Sequence, residues 1–219
     1  ATAFPDENGV RISQTGCIGF CEEEPLVEIL GEGKPRVIYR HVTEDRICPV
    51  MEDYMAGKFD KKRILGQMRD PRSLLEDDVE NPLNRVVPLD GIPFLEDIPF
   101  YKKQVKIALH NCGYVNPESI EEYIARDGYF GFFKTLSEMQ PAETIQVIKD
   151  SGLRGRGGGG FPTGIKWESC AGNDGKRYII CNADEGDPGA YMDRCILEGD
   201  PHSVLEGMLI AGFAIGARE

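Results

Sequence analysis

The pattern of apolar and polar residues predicts short strands near the start of the chain and helices further on. Two apolar runs, at residues 25–29 and 36–42, have the length of strands, and residues 43–55 place apolar side chains at helical spacing. From residue 101 the apolar positions recur at every third or fourth residue, which predicts a layer of helices. The predicted helical segments are residues 104–113, 116–128, 128–139 and 142–152.

Helix and strand signals alternate in the last third of the chain. Residues 164–171 are predicted to form a helix, and residues 177–181 form an apolar run that predicts a short buried strand. Pro188 and Pro201 are each placed to begin a further helix, the second of which reaches Gly216. Because strand and helix alternate here, we expect an α/β fold preceded by the helical layer.

Residues 58–99 carry no sustained helical or strand period. They are rich in charge and contain prolines at positions 71, 82, 88, 93 and 99, which predicts a linker between two domains. The apolar residues at 86–100 leave two interpretations open: the linker is pinned along a domain surface, or it is a mobile tether. The sequence is therefore expected to divide into segments 1–57, 58–99 and 100–219.

Glycines are concentrated in residues 151–167, which read SGLRGRGGGGFPTGIKW. Six glycines lie between Gly155 and Gly164, and a run this dense predicts backbone that takes positive φ or approaches a ligand closely. Two arginines lie at the start of the run, and Lys166 follows in the predicted helix. Bare amides, a helix N-terminus and basic side chains together favour binding of a phosphate group.

Two common phosphate motifs do not fit this segment. Gly155, Gly157 and Gly160 have the spacing G-x-G-x-x-G, but a segment of helical pattern precedes them where a dinucleotide fold has a strand. A P-loop has lysine directly after its last glycine, whereas Ile165 stands there in this chain. A flexible glycine linker is the remaining alternative, and the bulky Phe161 within the segment argues against it.

A second polar cluster follows the predicted strand, at residues 182–189. Its carboxylates, Asp184, Glu185 and Asp187, are not attracted to a phosphate, so we expect them to meet hydroxyl and amide groups of a nucleotide or flavin. Two alternatives remain for these acids. They are solvated turn and helix-start residues, or they are ligands of a metal ion, although no histidine lies nearby.

Composition and charge exclude several classes of protein. The 219 residues carry 25 Lys and Arg against 37 Asp and Glu, and the resulting net charge of −12 disfavours a nucleic-acid partner. No apolar run approaches the ~20 residues of a membrane-spanning helix and no signal-peptide pattern is present, so we expect a cytoplasmic location. The seven cysteines show no regular disulfide framework, which fits a reducing compartment.

Cys17 and Cys21 differ from the other cysteines because they lie four positions apart among glycines, just before a predicted strand. Thiolates on such a loop can both turn toward one iron atom. The spacing C-x-x-x-C alone fits two unrelated loop cysteines equally well.

Two long segments of the chain resemble a known flavoprotein family. Residues 152–167 (GLRGRGGGGFPTGIKW) and 181–202 (CNADEGDPGAYMDRCILEGDPH) are similar to the flavin-site segments of the NADH-oxidising subunit of respiratory complex I and of the diaphorase subunits of NAD-linked hydrogenases and formate dehydrogenases. The resemblance implies an FMN-binding α/β domain in an oxidoreductase. Such an enzyme passes a hydride between NAD(H) and FMN, and electrons then move to iron–sulfur clusters. Gly159 and Asp187 are more like the hydrogenase-type members.

The resemblance also implies roles for individual residues. FMN phosphate is expected at Gly155, Arg156, Gly157 and Lys166, and the flavin ring and ribityl chain at Asn182, Asp184 and Glu185. NAD(H) is expected at Gly158, Gly159, Phe161, Lys166 and Asp187, with Phe161 stacked on adenine and Asp187 near the nicotinamide amide. No catalytic acid or base is expected, because the flavin carries the hydride chemistry.

The start of the chain resembles the second half of a thioredoxin-like [2Fe-2S] ferredoxin domain, on the segment TGCIGFCEEEP and the strand and helix after it. The resemblance implies that Cys17 and Cys21 are two of four cluster ligands. Residues 1–16 contain no cysteine for the other pair, so we expect no stable cluster in this chain. A [4Fe-4S] cluster is expected only in a later part of such a subunit.

The resemblance implies partners as well as cofactors. They are NAD(H) and the other iron–sulfur subunits of a multisubunit redox complex. The alternative is a non-catalytic electron-transfer or assembly module that retains the fold without binding flavin.

Overall fold

The computed structural model describes residues 10, 12–69 and 86–218, which form two compact units. One unit, here the sheet unit, consists of the described residues from Cys17 to His110. The other, here the helical unit, consists of the described residues before Cys17 together with residues 111–218. The chain therefore combines helices with a small sheet, as the sequence predicts in outline.

Three antiparallel strands and two α-helices build the described part of the sheet unit. Its elements are β1 (Val27–Ile29), β2 (Val37–Tyr39), α1 (Glu44–Met55), β3 (Ile64–Gln67) and the short α2 (Pro99–Lys102). The strands pair in the order β1-β2-β3. Val37 and Tyr39 of β2 share one buried core with Val50 and Tyr54 of α1. The strands predicted at 25–29 and 36–42 and the helix predicted at 43–55 are confirmed.

Strand β3 lies within the segment 58–99 that the sequence predicts as a linker. Residues 70–85 of that segment lie outside the described residues, so the linker stays a prediction. The buried side chain of Gln67 also ties later residues to the sheet. Its amide donates to the carbonyls of Leu89 at 3.0 Å and Ile92 at 2.7 Å, and its Oε1 accepts from the Leu89 amide at 2.8 Å. A four-residue strand containing a glycine is too short to show a clear period in sequence.

Six α-helices form the described part of the helical unit. They are α3 (Ile120–Ala125), α4 (Phe130–Glu138), α5 (Pro141–Asp150), α6 (Thr163–Ala171), α7 (Met192–Gly199) and α8 (Pro201–Ile215). Helix α8 packs against α4, α5, α6 and α7. The helices predicted at 128–139, 142–152, 164–171 and 201–216 are confirmed, and the one predicted at 116–128 is shorter. None of the helices in the described ranges is long and apolar enough to cross a bilayer.

Glu206 of α8 anchors the start of α4. Its Oε2 accepts hydrogen bonds from the Tyr123 hydroxyl at 2.6 Å and the Tyr129 amide at 2.9 Å, and its Oε1 accepts from the Phe132 amide at 3.0 Å. A carboxylate at this position satisfies amides that have no partner inside the helix. Burial, together with the Glu206 carboxylate, raises the pKa of Tyr123.

Two predictions of helix position are wrong. Residues 104–107 are irregular and residues 108–113 form turns. The apolar Val105 and Ile107 are 87% and 65% exposed. A helix this short is not stable unless an apolar face packs against a neighbour. Pro188 lies in a turn and α7 begins only at Met192, because Tyr191 before it takes a φ of 54°, which is incompatible with a continuing helix.

The strand predicted at residues 177–181 is not formed. The segment is irregular, with Tyr178 52% and Ile180 83% exposed. A strand is stable only when its backbone N–H and C=O groups pair with a neighbouring strand. In the described ranges all the strands lie in the sheet unit, so this segment has no strand to pair with.

Candidate functional site

The glycine-rich segment forms a loop whose base is closed by two backbone hydrogen bonds. It leaves α5 after Asp150 and enters α6 at Thr163. The Thr163 amide donates to the Leu153 carbonyl at 2.9 Å, and the Gly155 amide donates to the Phe161 carbonyl at 2.8 Å. Residues 156–160 therefore form the tip of a fixed loop, and the interpretation as a flexible linker is not supported.

The tip of the loop presents bare backbone. A Cβ placed on Gly157, Gly158 or Gly159 would meet no heavy atom within 4 Å. Gly158 has a φ of +110°, which L side chains rarely adopt. Within the described part of the chain these three residues make no hydrogen bond. Their amides are thus available to an anion, and among the described residues no heavy atom lies within 4 Å of these Cβ positions.

Positive side chains lie in this loop and in the helix that follows it. Arg154 and Arg156 are exposed in the loop, and Lys166 is exposed in the first turn of α6. Phe161, at the end of the tip, is 54% exposed. The N-terminus of a nine-residue helix adds a partial positive charge. Free amides, a helix N-terminus and cationic side chains are the groups with which proteins bind phosphate, so the loop is a candidate phosphate site.

Gly164 fixes the helix that carries Lys166. It is buried in α6, and a Cβ at this position would lie 2.4 Å from Lys149 Cγ and 2.7 Å from the Lys149 backbone nitrogen of α5. The two helices are also joined by an ion pair between Lys149 Nζ and Glu168 Oε1 at 3.0 Å. Gly164 is therefore a packing residue. Its role was missed in the sequence because the spacing does not indicate which neighbour it touches.

The second candidate segment, residues 182–187, is an exposed turn in which most polar side chains face solvent. Asn182 Oδ1 accepts a hydrogen bond from the Asp184 amide at 3.1 Å, and the Asp187 carbonyl accepts from the Ala190 amide at 3.2 Å. These bonds shape the backbone. The carboxylates of Asp184 and Asp187 remain exposed to a ligand.

Glu185 differs from its acidic neighbours. Its backbone takes a φ of 48°, and its carboxylate turns back onto helix α7. Oε1 accepts from the Asp193 amide at 2.9 Å, and Oε2 accepts from the Arg194 amide at 3.3 Å. Glu185 therefore caps α7. No short spacing motif links a carboxylate to a helix eight residues later, so the sequence did not reveal this contact.

The predicted flavin and nucleotide residues fall into these two segments of the helical unit. The glycine loop leads into α6 and the acidic turn leads into α7, and both helices pack on α8. No hydrogen bond or ion pair joins the two segments among the described residues. The role of each residue toward a cofactor stays a prediction.

Cys17 and Cys21 lie close together in the sheet unit, and their role as metal ligands stays a prediction. Their sulfur atoms lie within 4.8 Å of each other and of a Glu24 carboxylate oxygen. Desolvation raises the pKa of the Cys17 thiol, and Cys21 and Glu24 add to the effect. The described residues near this pair supply two thiols and one carboxylate, whereas a protein-bound [2Fe-2S] cluster takes four ligands. The described residues therefore do not complete such a site.

The glycine loop lies within a segment that is similar to a known protein family. Residues 148–219 match the family model described as the Nuo51 FMN-binding domain. This match contains the loop from Gly152 through α6, the acidic turn and α8. The resemblance predicted from the two segments is confirmed.

Individual relatives agree with the family match. NADP-reducing hydrogenase subunit HndC of Solidesulfovibrio fructosivorans is 61% identical over 117 residues, which are 53% of this chain and 24% of that protein. An NADH-quinone oxidoreductase subunit of Aquifex aeolicus (strain VF5) is 52% identical over 101 residues, 46% of this chain and 24% of that protein. The corresponding protein of Escherichia coli (strain K12) is 46% identical over 103 residues, which are 46% of this chain and 23% of that protein. The chain spans about a quarter of the length of these relatives.

Proposed function

We propose that this chain is part of the flavoprotein subunit of an NAD-linked oxidoreductase, in which a hydride passes between NAD(H) and FMN and electrons then pass to iron–sulfur clusters. The proposal rests on the glycine loop more than on any other feature. Its base is closed by the Thr163–Leu153 and Gly155–Phe161 backbone hydrogen bonds. Its tip offers amides that have no partner in the described residues.

The groups at this loop suit the phosphate of FMN. Gly155 shapes the loop, Gly157 allows close approach of the ligand, and Arg156 and Lys166 supply positive charge. Charge-assisted hydrogen bonds from such groups to phosphate oxygens are stronger than neutral ones. FMN would therefore be held mainly through its phosphate end at this loop.

The acidic turn suits the uncharged part of the cofactors. Asn182 and Asp184 are exposed and offer oxygens to the hydroxyls of a ribityl chain or the edge of a flavin ring. We assign Glu185 a positioning role in addition, because its carboxylate is engaged by the amides at the start of α7. A fixed α7 holds the preceding turn in place.

The residues assigned to NAD(H) line the same two segments. Gly158 and Gly159 leave room for the dinucleotide, the exposed Phe161 ring offers a stacking surface for adenine, and Asp187 offers oxygens to the nicotinamide amide. When bound, FMN supplies the hydride chemistry. The part of this chain in catalysis is to bind and orient the two cofactors, which lowers the entropic cost of bringing them together.

Sequence identity to the relatives supports a hydrogenase-type subunit over a quinone-reductase-type subunit. The 61% identity to a hydrogenase subunit exceeds the 52% and 46% to the two quinone oxidoreductase subunits. We propose that the partners are other iron–sulfur subunits of a redox complex. We propose also that residues 1–57 correspond to the second half of a thioredoxin-like [2Fe-2S] domain, and that further clusters lie in the longer subunit.

The absorption spectrum of the purified protein separates this proposal from the alternative of a fold without flavin. Stoichiometric FMN that is reduced by NADH, with electrons passed to an artificial dye, is the expected result. Parallel assays with NADPH identify the preferred nucleotide. Gly157→Ala is expected to lose flavin, whereas Gly172→Ala is the matched control, because a Cβ there would meet the Glu168 carbonyl at an ordinary 3.6 Å. A protein that binds no FMN when FMN is supplied in excess would contradict the proposal.

A further inference from the structure

Arg177 joins the C-terminal ends of two helices in the helical unit. Its Nη2 donates to the Asn173 carbonyl at 2.6 Å, two residues past the end of α6, and its Nη1 donates to the Ile215 carbonyl of α8 at 3.1 Å. The last carbonyls of a helix, such as that of Ile215, have no partner inside the helix, and a cation beside them is favourable. One guanidinium therefore ties the end of α6 to the end of α8.

The surroundings of this guanidinium are themselves fixed. Asn173 is held to α6, because its Nδ2 donates to the Ser169 carbonyl at 3.0 Å. Gly216, which follows α8 with a φ of +71°, lies so close that an added Cβ would be 3.0 Å from Arg177 Nη1. Arg177 Nε is buried and has no hydrogen-bond partner among the described residues. The side chain is thus positioned through its two terminal nitrogens.

Arg177 also begins the segment that leads into the acidic turn. This segment forms no helix or strand, so no regular element fixes its backbone. Ile179 contacts α8 two residues after Arg177, since its Cγ1 lies 3.7 Å from the Cβ position of Gly212. On the other side of the turn, the Glu185 carboxylate is held by the amides at the start of α7. The acidic turn therefore lies between one attachment on α8 and one on α7.

We propose that Arg177 is a positioning residue of the flavin site, which holds the acidic turn in place relative to α6. This inference rests on the function proposed above. The first turn of α6 carries Lys166, assigned to the phosphate of FMN, and the acidic turn carries the residues assigned to the flavin ring and ribityl chain. One cofactor can bind to both segments only if their separation is fixed. Arg177 supplies this connection, because it contacts the end of α6 and begins the segment before the turn.

Hydrogen–deuterium exchange of the flavin-free 219-residue chain tests the positioning without a cofactor. In Arg177→Gln we expect the hydrogen-bonded amides of Ala190 and Asp193 to exchange about threefold faster or more, because the turn loses an attachment. Arg218→Gln is the matched control, an exposed arginine beyond the same end of α8, and should exchange like the unaltered chain.

Equal exchange of these amides in the two variants would overturn the inference, whether or not the protein binds flavin. Circular dichroism checks that both variants are folded. If Arg177→Gln does not fold, Arg177→Lys is measured in its place, because it keeps the charge but donates from a single nitrogen.

Binding of FMN and riboflavin, well below the unfolding temperature, shows whether this positioning serves the cofactor. Arg177→Gln should weaken both affinities by about threefold to tenfold, the effect of losing one hydrogen bond, and should leave their ratio unchanged. Arg177→Lys should recover part of both affinities. Unchanged affinity for both flavins in Arg177→Gln would overturn the role in the flavin site. Failure of the proposed function would appear instead in the unaltered protein, which would then bind neither flavin.

Discussion

Glu185 Oε1 accepts a hydrogen bond from the backbone amide of Asp193 at 2.9 Å. The bond joins the acidic turn, in which the nicotinamide and flavin residues are proposed, to the first turn of α7. A second amide, that of Arg194, donates to the other carboxylate oxygen at 3.3 Å, so Glu185 caps the first turn of α7. The geometry of the turn therefore depends on a side chain that faces the helix.

Glu185→Ala is expected to lower the free energy of unfolding by about 0.5–2 kcal/mol, the usual cost of losing a side-chain helix cap. Chemical denaturation followed by circular dichroism measures the change. Glu198→Ala is the matched control on the same helix, because its carboxylate is 63% exposed and pairs with Arg194 at 3.0 Å. An exposed pair of this kind contributes about 0.5 kcal/mol or less. Equal effects of the two substitutions would contradict the capping role.

Gly157→Ala is expected to abolish FMN binding while the fold is retained. A Cβ on Gly157 meets no atom of the chain within 4 Å, so any loss must come from the space that the ligand requires. Fluorescence titration with FMN measures the affinity, and thermal unfolding measures the fold. Normal FMN affinity in Gly157→Ala would remove the loop tip from the site.

Gly158→Val should also abolish NADH-dependent dye reduction, and at this position a φ of +110° adds backbone strain.

The helices could be predicted from the sequence wherever the signal is local. Helix α5 begins at a proline after a polar cap, and α8 begins after Asp200 and ends at Gly216 with positive φ, so both boundaries follow from neighbouring residues. The strand expected at 177–181 could not be predicted reliably in the same way. A strand forms only beside a second strand, and the local sequence does not identify that second strand.

In the candidate site, too, local features could be predicted from the sequence and contacts between distant residues could not. The glycine-rich loop was predicted from composition, because so many glycines disfavour a helix or a strand and the neighbouring cations favour an anion. The packing of Gly164 on Lys149 and the cap by Glu185 are contacts across the fold, and their residue types are compatible with several roles. Spacing along the chain does not distinguish those roles.

Gly164→Ala is expected to destabilise the helical unit by about 1–3 kcal/mol, because overpacking forces the neighbouring backbone to move. The added Cβ would lie 2.7 Å from the Lys149 backbone nitrogen, and a backbone atom cannot rotate away. The temperature of thermal unfolding is the measurement. Gly172→Ala, whose Cβ meets only ordinary contact distances, is the control. Identical unfolding temperatures for the two variants would contradict close packing of α5 on α6.

The stability of the sheet unit is expected to fall at high pH through Tyr39 and Tyr54. Burial raises the pKa of each phenol to about 12, against ~10 in an unfolded chain. The folded state therefore favours the neutral form, so this contribution is complete below pH ~10 and is lost as the pH rises toward about 12. Denaturation midpoints across this range measure the loss.

Tyr54→Phe is the variant that tests this pH dependence, because the Tyr54 hydroxyl is buried and donates to the Pro35 carbonyl at 3.1 Å. It should make the decline of stability with pH shallower. Tyr178→Phe is the control, since Tyr178 is 52% exposed. A decline that is equally steep in both variants would show that burial of Tyr54 does not govern it.

The central claim is that the glycine loop and α6 bind the phosphate of FMN, and a comparison of FMN with riboflavin tests it most directly. Riboflavin lacks only the phosphate, so the ratio of the two dissociation constants isolates the contribution of the loop. The purified protein should bind FMN at least about tenfold more tightly than riboflavin, which corresponds to one charge-assisted contact. Lys166→Ala should reduce this ratio by about tenfold, and Lys134→Ala, an exposed lysine on α4, should leave it unchanged. Equal affinity for FMN and riboflavin in the unaltered protein would contradict the account.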